Sequence, residues 1–131
     1  MSMIGNLLKS GIDVLKDGSR VVILKGFGFR SQKLTVSGAI RGSGKVSFVE
    51  LDHISTIIAA TLAAPKKGQI LVIADTSASG TAAHTVTLAA GTWDGTNDVA
   101  TFNAPSECLV LFGISDTRFV VVENIGSVAF S

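Results

Sequence analysis

Short apolar or alternating runs, separated by turn residues, follow one another along the second half of the sequence. Between Gly68 and Ser131 they occupy residues 69–74, 84–88, 99–102, 108–112, 118–122 and 128–130. Clusters of Gly, Asp, Asn and Ser separate them, and the cluster at residues 91–98 holds the only tryptophan, Trp93. Short strands with turn signals at this spacing are typical of an antiparallel sandwich. The sequence therefore predicts a mainly β fold whose C-terminal part is an antiparallel β-sandwich or jelly-roll-like module.

The first part of the chain has less continuous apolar sequence. Strands are predicted at residues 21–24, 33–36 and 46–49, and residues 4–15 have the apolar spacing of a short amphipathic helix. Residues 54–64 are ambiguous, because alanines and isoleucines at helical spacing favour a helix whereas β-branched residues favour a strand. The β-rich surroundings lead us to expect a strand there. We predict one domain, with residues 1–49 as an extended N-terminal arm or hairpin extension and residues 50–131 as the sandwich module.

Charge is distributed unequally between the two halves. Residues 1–67 carry ten Lys or Arg and four acids, and residues 68–131 carry one base and six acids. A basic half of this kind is suited to an acidic partner. Without a nucleic-acid motif, the partner is expected to be a protein. The bases of this arm that we expect to dock are Arg20, Lys25, Arg30, Lys33, Arg41 and Lys45.

Self-association is indicated by the low charge content and by three strands without alternation. Only 16% of residues are charged while 47% are hydrophobic, against about a quarter charged in a typical domain. The runs at residues 70–73, 108–112 and 119–122 are apolar on both faces, a pattern typical of strands buried on both sides. A neighbouring subunit is expected to cover the second side. The expected interface residues are Ile70, Val72, Leu109, Leu111, Phe119 and Val121.

No motif in the sequence is specific for catalysis. Residues 39–46 resemble a phosphate-binding loop but lack its first glycine and its Ser or Thr. Residues 94–98 offer oxygen ligands at short spacing without the distant glutamate of a calcium loop. His53, His84 and Cys108 do not have zinc-ligand spacing, although a Cys108–His84 nucleophile pair stays open. We expect no enzyme activity, cofactor or metal, and neither a membrane span nor a signal peptide.

A resemblance to known proteins rests on residues 65–75, 84–88, 91–97, 100–102 and 118–127. Their order of a turn, a strand, a Gly-x-x-Asp-Gly loop, an Ala-Thr-Phe strand and a closing aromatic-Val-Val strand resembles small virion proteins of tailed bacteriophages. Trimeric head decoration (cement) proteins and some tail-fibre modules share this order. The resemblance covers about half of the chain, and Phe119 stands where such proteins often have Trp. It implies a β-rich homotrimer on a virus particle, without catalysis.

Three classes of function follow. The first is a capsid decoration protein that binds the major capsid protein through its basic arm, as a trimer on the capsid surface of the virion. The second is a tail or fibre-associated β module that binds a host receptor through the Trp93 loop. The third is a small β enzyme or ligand-binding module, which would need a pocket. Basic, glycine-rich arms favour the first class, whereas the lack of a sequence repeat disfavours a fibre shaft.

Overall fold

The computed structural model describes residues 12–14, 21–23, 29–42 and 45–131. Every regular element in these residues is a β-strand. The strands are β1 (Ile12–Val14), β2 (Val21–Ile23), β3 (Ser31–Leu34), β4 (Gly38–Ala39), β5 (Phe48–Leu51), β6 (Ala59–Leu62), β7 (Ile70–Asp75), β8 (His84–Leu88), β9 (Val99–Phe102), β10 (Cys108–Ser115), β11 (Arg118–Ile125) and β12 (Ala129–Phe130).

Two mixed sheets of five strands each pack together. Sheet I has the order β11-β10-β7-β5-β3, and sheet II has the order β12-β9-β8-β6-β4. Strands β1 and β2 pair with each other in a separate antiparallel sheet. From β3 to β8 the chain places its strands alternately in sheet I and sheet II. Two consecutive strands, one in each sheet, together form one coil of the chain. Three such coils (β3–β4, β5–β6 and β7–β8) stack in the manner of a β-solenoid.

Pairing between the stacked coils is parallel. Strand β3 pairs with β5 and β5 with β7 in sheet I, while β4 pairs with β6 and β6 with β8 in sheet II. Parallel neighbours require a crossover connection, and here the crossover runs through the opposite sheet. Strands β9 to β12 then pair in antiparallel fashion and complete both sheets.

The core lies between the two sheets and is supplied by alternate residues of the strands. Trp93 enters it from the β8–β9 connection, is fully buried, and stacks on Phe119 with ring centroids 5.5 Å apart. Its Nε1 donates to the carbonyl of Asp98 at 2.8 Å. The buried apolar side chains are those of Ile40, Val46, Val49, Leu51, Ile58, Ala60, Leu62, Leu71, Ile73, Val86, Leu88, Trp93, Ala100, Phe102, Leu109, Leu111, Phe119 and Val128.

The predicted mainly β fold is confirmed as two packed sheets, but these sheets are mixed where the sequence predicts antiparallel pairing. The ambiguous segment 54–64 contains strand β6, as expected. Strands β3 and β4 and the start of β5 belong to the two sheets, although they fall within residues 1–49, assigned by sequence to an arm. Of the predicted helix at residues 4–15, residues 12–14 form a strand and the others lie outside the described residues.

The three apolar runs at residues 70–73, 108–112 and 119–122 have one buried side in the single chain. The expected cover of their second side by a neighbouring subunit stays a prediction. Strand β7 alternates between Leu71 and Ile73, which are fully buried, and Ile70, which is exposed. Strand β10 alternates in the same way. The sandwich buries only the inner side of each run, because sheet II covers that side alone. Over the part of the chain that the structure describes, no helix is long and apolar enough to cross a membrane.

Candidate interaction surface

The outer side of sheet I is apolar across most of its width. Of the ten large hydrophobic side chains that are exposed in the described residues, six lie on this sheet. The five strands lie about 4.8 Å apart and have 4, 4, 6, 8 and 8 residues, which gives the side an extent on the order of 500 Å². We call it the apolar face and define it by Phe48, Ile70, Val72, Val110, Phe112, Ile114, Val120 and Ile125.

Strand register places these side chains in continuous rows. Phe112 is paired with Ile70 on one side and with Val120 on the other. In the next row Val72 lies between Phe48 and Val110. Charged side chains on these strands lie at Arg118 and Glu123 on the edge strand β11, at Lys33 on the edge strand β3 and at Glu50 on β5. The outward side chains of the two central strands β7 and β10 therefore carry no charge.

The outer side of sheet II differs in chemistry. Its outward positions are occupied mainly by threonine and alanine, with Thr85 paired with Thr101 and Thr61 with Thr87. Threonine presents a hydroxyl to water while its methyl group suits a strand. Since both sheets belong to one small protein, this contrast marks the apolar face as the side suited to a partner.

Only half of the interface residues expected from the sequence reach the surface. Ile70 is exposed, and Val72 and Val121 are half-buried. Leu109, Leu111 and Phe119 are fully buried between the sheets of a single chain, so they have no surface left for a neighbour. On β10 and β11 the expected residues belong to the inner side of the strand, because period-2 alternation does not say which side is inside when both are apolar. The interface itself stays a prediction.

The basic residues expected to dock fall into three groups. Arg20 and Lys25 lie outside the described residues. Lys33 forms an ion pair with Asp52, with 2.5 Å between Nζ and Oδ2, and this partner raises the pKa of Lys33. The guanidinium of Arg41 donates to the carbonyl of Ser31 at 2.7 Å. Arg30 and Lys45 are exposed on the connections before β3 and β5.

A buried polar cluster, not foreseen from the sequence, lies between the two sheets where β7 ends and β8 begins. His84 is fully buried, and its Nδ1 accepts the backbone N–H of Ile58 at 3.0 Å. The ring proton of neutral His84 is therefore on Nε2, which lies 3.3 Å from Ser77 Oγ. Ser77 Oγ also donates to the carbonyl of His53 at 3.3 Å and accepts its N–H at 3.1 Å.

The cluster contains the residue types of a nucleophilic triad in a different arrangement. In such a triad the carboxylate and the serine bind opposite nitrogens of the ring. Here Asp75 Oδ2 lies 4.0 Å from Nε2, the nitrogen that also faces Ser77, and the backbone of Ile58 occupies Nδ1. Because Nε2 carries the proton, His84 has no lone pair for the serine proton. The cluster holds the 53–58 and 76–83 connections together.

Cys108 is half-buried beside the apolar face and is paired with Ala74 and Ile125. His84 belongs to sheet II and points into the core, so the structure does not bring this possible nucleophile pair together. Burial raises the pKa of the Cys108 thiol, which disfavours the reactive thiolate. Within the described residues, no group of three or more His, Cys, Asp or Glu side chains is arranged to hold a metal ion.

The Trp93 loop is a folded turn around Asp94. Asp94 Oδ1 accepts the N–H groups of Thr96 and Asn97 at 3.0 and 2.8 Å, and Oδ2 accepts Asn97 Nδ2 at 2.9 Å. These hydrogen bonds lower the pKa of Asp94. Because Trp93 itself is buried, the exposed residues of the loop are residues 94–96 and Asp98. The Trp93 indole is therefore not accessible to a receptor. A receptor contact through this loop would have to involve its exposed residues.

A surface cavity of about 260 Å³ lies beside the apolar face at Ile70. Its lining includes Ser47, Lys66, Lys67 and Gln69. Gln69 Oε1 accepts the Lys66 N–H at 3.0 Å, and Asp116 Oδ1 accepts the Lys67 N–H at 3.0 Å. The Gln69 and Asp116 side chains therefore stabilise the turn at residues 66–69.

Comparison with known proteins adds no assignment. A search of protein-family models finds no match to the sequence, and no curated protein matches it.

Proposed function

We propose that this chain is a structural virion protein, a capsid decoration (cement) protein that assembles as a homotrimer and binds the outer surface of a capsid. The observation that carries the proposal is the apolar face. It is a continuous hydrophobic surface on a small protein whose other sheet presents threonine and alanine. A structural protein that functions by association has a use for such a face.

A second copy of this chain is the occupant that best fits the apolar face. The outer side of sheet I extends over on the order of 500 Å², which is more than half of the roughly 800 Å² that each partner contributes to a standard protein interface. Each 100 Å² of apolar surface removed from water contributes about 2.5 kcal/mol. Association costs about 4–15 kcal/mol, so copies that cover most of one another's faces gain a net stabilisation. In a cyclic trimer each copy contacts two neighbours, so different parts of the apolar face would contact each neighbour.

The basic residues supply the contact with the major capsid protein. Arg30 and Lys45 are exposed near the end of the stack that β3 and β4 form. Exposed ion pairs contribute only about 0–1 kcal/mol each, so their main effect is on the rate of attachment. Three copies in one trimer add avidity, because the second and third contacts become intramolecular. Lys33 and Arg41 contribute less, since each already binds a group of its own chain.

A non-catalytic role is supported by the buried polar cluster. Its histidine is already protonated at the nitrogen that faces Ser77, and Asp75 is only 2% exposed. A substrate would have to separate the 53–58 and 76–83 connections before it reached the serine hydroxyl.

The second candidate is a tail or fibre-associated β module that binds a host receptor. The parallel stack of coils favours it, because stacked coils can extend into a shaft. In that role the exposed residues 94–96 of the Trp93 loop and the threonine-rich outer side of sheet II would face the receptor.

Location and docking are tested by adding purified protein to particles that lack it, followed by electron cryomicroscopy. The proposal predicts density on the capsid shell. Arg30→Gln combined with Lys45→Gln should slow attachment several-fold and weaken its salt dependence, because two steering charges are lost. The matched control is Lys66→Gln with Lys67→Gln, which removes the same charge at the cavity-lining turn and should leave attachment unchanged. Density on the tail alone would select the second candidate, and failure to bind any part of the particle would refute both.

A further inference from the structure

The cavity beside Ile70 has an apolar part and a basic part. Val46 and Ile70 line it with apolar atoms, whereas Lys66 and Lys67 bring two positive charges to it. Its volume of about 260 Å³ is below the roughly 300–1,000 Å³ of pockets that hold small molecules. Neither lysine side chain forms an ion pair among the described residues. The cavity therefore suits a short apolar side chain that is next to a carboxylate.

Val122 is an apolar projection at the edge of sheet I. Strand β11 is the edge strand, and its register with β10 skips Val122, which is the extra residue of a β-bulge. A bulge leaves its extra residue unpaired and redirects the side chain. Val122 is 61% exposed, the largest fraction among the six exposed hydrophobic side chains of this sheet. Most of this side chain is therefore left for another molecule to cover.

The residue after Val122 is an exposed acid. Glu123 forms no ion pair in the part of the chain that the structure describes. Near the other edge of sheet I the charges already balance one another, because Lys33 binds Asp52 and lies close to Glu50. Glu123 is thus the exposed acid of this sheet that is available to a basic partner, and it directly follows the most exposed apolar side chain.

We propose that the cavity is a socket between copies of this chain, and that Val122 of one copy enters the cavity of the next. Glu123 of the first copy then faces Lys66 and Lys67 of the second. The inference rests on the self-association proposed above and names a contact through which it occurs. Val122 and the cavity lie at different places on sheet I, so each copy offers one of them to each of two neighbours. Such a heterologous contact closes into a ring when a threefold rotation relates the copies.

A disulfide between Ser47→Cys and Val122→Cys, in a Cys108→Ser background, tests the contact. Ser47 lines the cavity and directly precedes β5. Strand β11 lies three strands from β5 in sheet I, about 14 Å at the usual strand spacing. A disulfide joins Cα atoms roughly 4.4–6.8 Å apart, so a 47–122 disulfide can form only between copies. After mild oxidation, we expect most chains to run as covalently linked trimers in denaturing electrophoresis, with the 47–122 bond identified by peptide mass.

The control uses Val36→Cys in place of Val122→Cys. Val36 is 69% exposed on the connection between β3 and β4, so this variant measures cross-linking by random collision. If the parent protein is a trimer but the 47–122 pair is linked no more than the control, the socket is refuted and the proposed self-association stands. A monomeric parent protein would refute both. Linked dimers as the final product would support the socket and refute the trimer.

Exchange of charge across the contact gives a second measurement. Glu123→Lys places a third cation at the cavity, and because like charges repel, it should raise several-fold the protein concentration at which half of the trimer dissociates. Combination with Lys66→Glu and Lys67→Glu should restore the parent value. Lys66→Gln with Lys67→Gln removes only the weak attraction of exposed ion pairs, so the trimer and its attachment to the capsid are kept. A loss that the combination does not restore would contradict the placement of Glu123.

Discussion

At the scale of single residues, His84 shows how a polar side chain stabilises the core of this protein. It is fully buried, yet its two ring nitrogens bind the Ile58 N–H and face the Ser77 hydroxyl. Buried polar groups stabilise a fold only when they are hydrogen-bonded. No sequence pattern groups His84 with Ser77 and Asp75. The connection between β7 and β8 brings the three side chains together, and residues of the 53–58 connection supply their other hydrogen-bond partners.

Replacement of His84 by leucine should therefore destabilise the protein. The volume is roughly kept, but the buried Ile58 N–H loses its acceptor, which costs about 1–3 kcal/mol. Chemical denaturation measures the free energy of unfolding. The matched control is His53→Leu. The His53 Nδ1 accepts the exposed N–H groups of Ser55 and Thr56, to which water binds once the ring is removed. Equal losses for the two variants would contradict a buried role for His84.

Gly113 shows a steric requirement at a second residue. A Cβ at this position would lie 2.0 Å from the carbonyl oxygen of Lys66, which is a backbone atom and cannot move independently. Gly113→Ala should thus lower the free energy of unfolding by about 1–3 kcal/mol, the usual cost of overpacking. At Gly42 no atom lies within 4 Å of the added Cβ, so Gly42→Ala is the control and should be close to neutral. A neutral Gly113→Ala would show that the turn at residues 66–69 can shift.

At the scale of elements, most C-terminal strands are predictable and their pairing is not. Strands β7 to β12 lie where apolar runs and turn residues predict them. The parallel order of β3, β5 and β7 escapes such reasoning, because the connections pass through the other sheet and leave no helix in the sequence. Strand β4 has only two residues, Gly38 and Ala39, and its glycine-rich surroundings predict a loop. Its place in sheet II depends on pairing with β6, which no local pattern encodes.

The Trp93 loop illustrates the same limit for a connection. Its glycines and acids predict an exposed turn, and residues 94–96 are indeed exposed. The indole packs instead on Phe119, a residue of the other sheet. The loop is therefore part of the core on one side and a solvent-exposed turn on the other.

The ionised Asp94 carboxylate should stabilise this loop in a pH-dependent manner. The folded-state pKa of Asp94 lies below the ordinary value of 3.8, because three N–H groups donate to the carboxylate. Its contribution is then fully present above that ordinary value and is lost as the pH falls through the lowered folded-state pKa. Asp94→Asn should reduce the melting temperature slightly at pH 7 and should have less effect near pH 2.

The control for this prediction is Asp98→Asn, since Asp98 binds Trp93 through its backbone carbonyl. It should leave the pH dependence of melting unchanged. Because Asp94 is exposed, solvent screening keeps the loss for Asp94→Asn small. A loss that grows as the pH falls would have the wrong sign and would contradict the assignment.

At the scale of the whole molecule, the apolar face is where sequence and structure complement each other. The apolar runs and the low charge content indicate a partner, whereas the choice of side requires the packed sheets. From the sequence alone, Leu109 and Leu111 are as good candidates as Val110 and Phe112, because consecutive apolar residues conceal the direction of each side chain. The docking residues Arg20 and Lys25 fall outside the described residues and stay predictions.

The molar mass of the protein in solution, measured by light scattering during size-exclusion chromatography, tests the central claim most directly. We expect three chains of 13.5 kDa, about 40 kDa. Val120→Lys, which places a charge in the apolar face, should give a folded monomer, because an unpaired charge is costly to bury. Thr101→Lys, the matched change on the outer side of sheet II, should keep the trimer. A parent protein that is monomeric at micromolar concentration, or a Val120→Lys variant that keeps the parent mass, would contradict self-association through the apolar face.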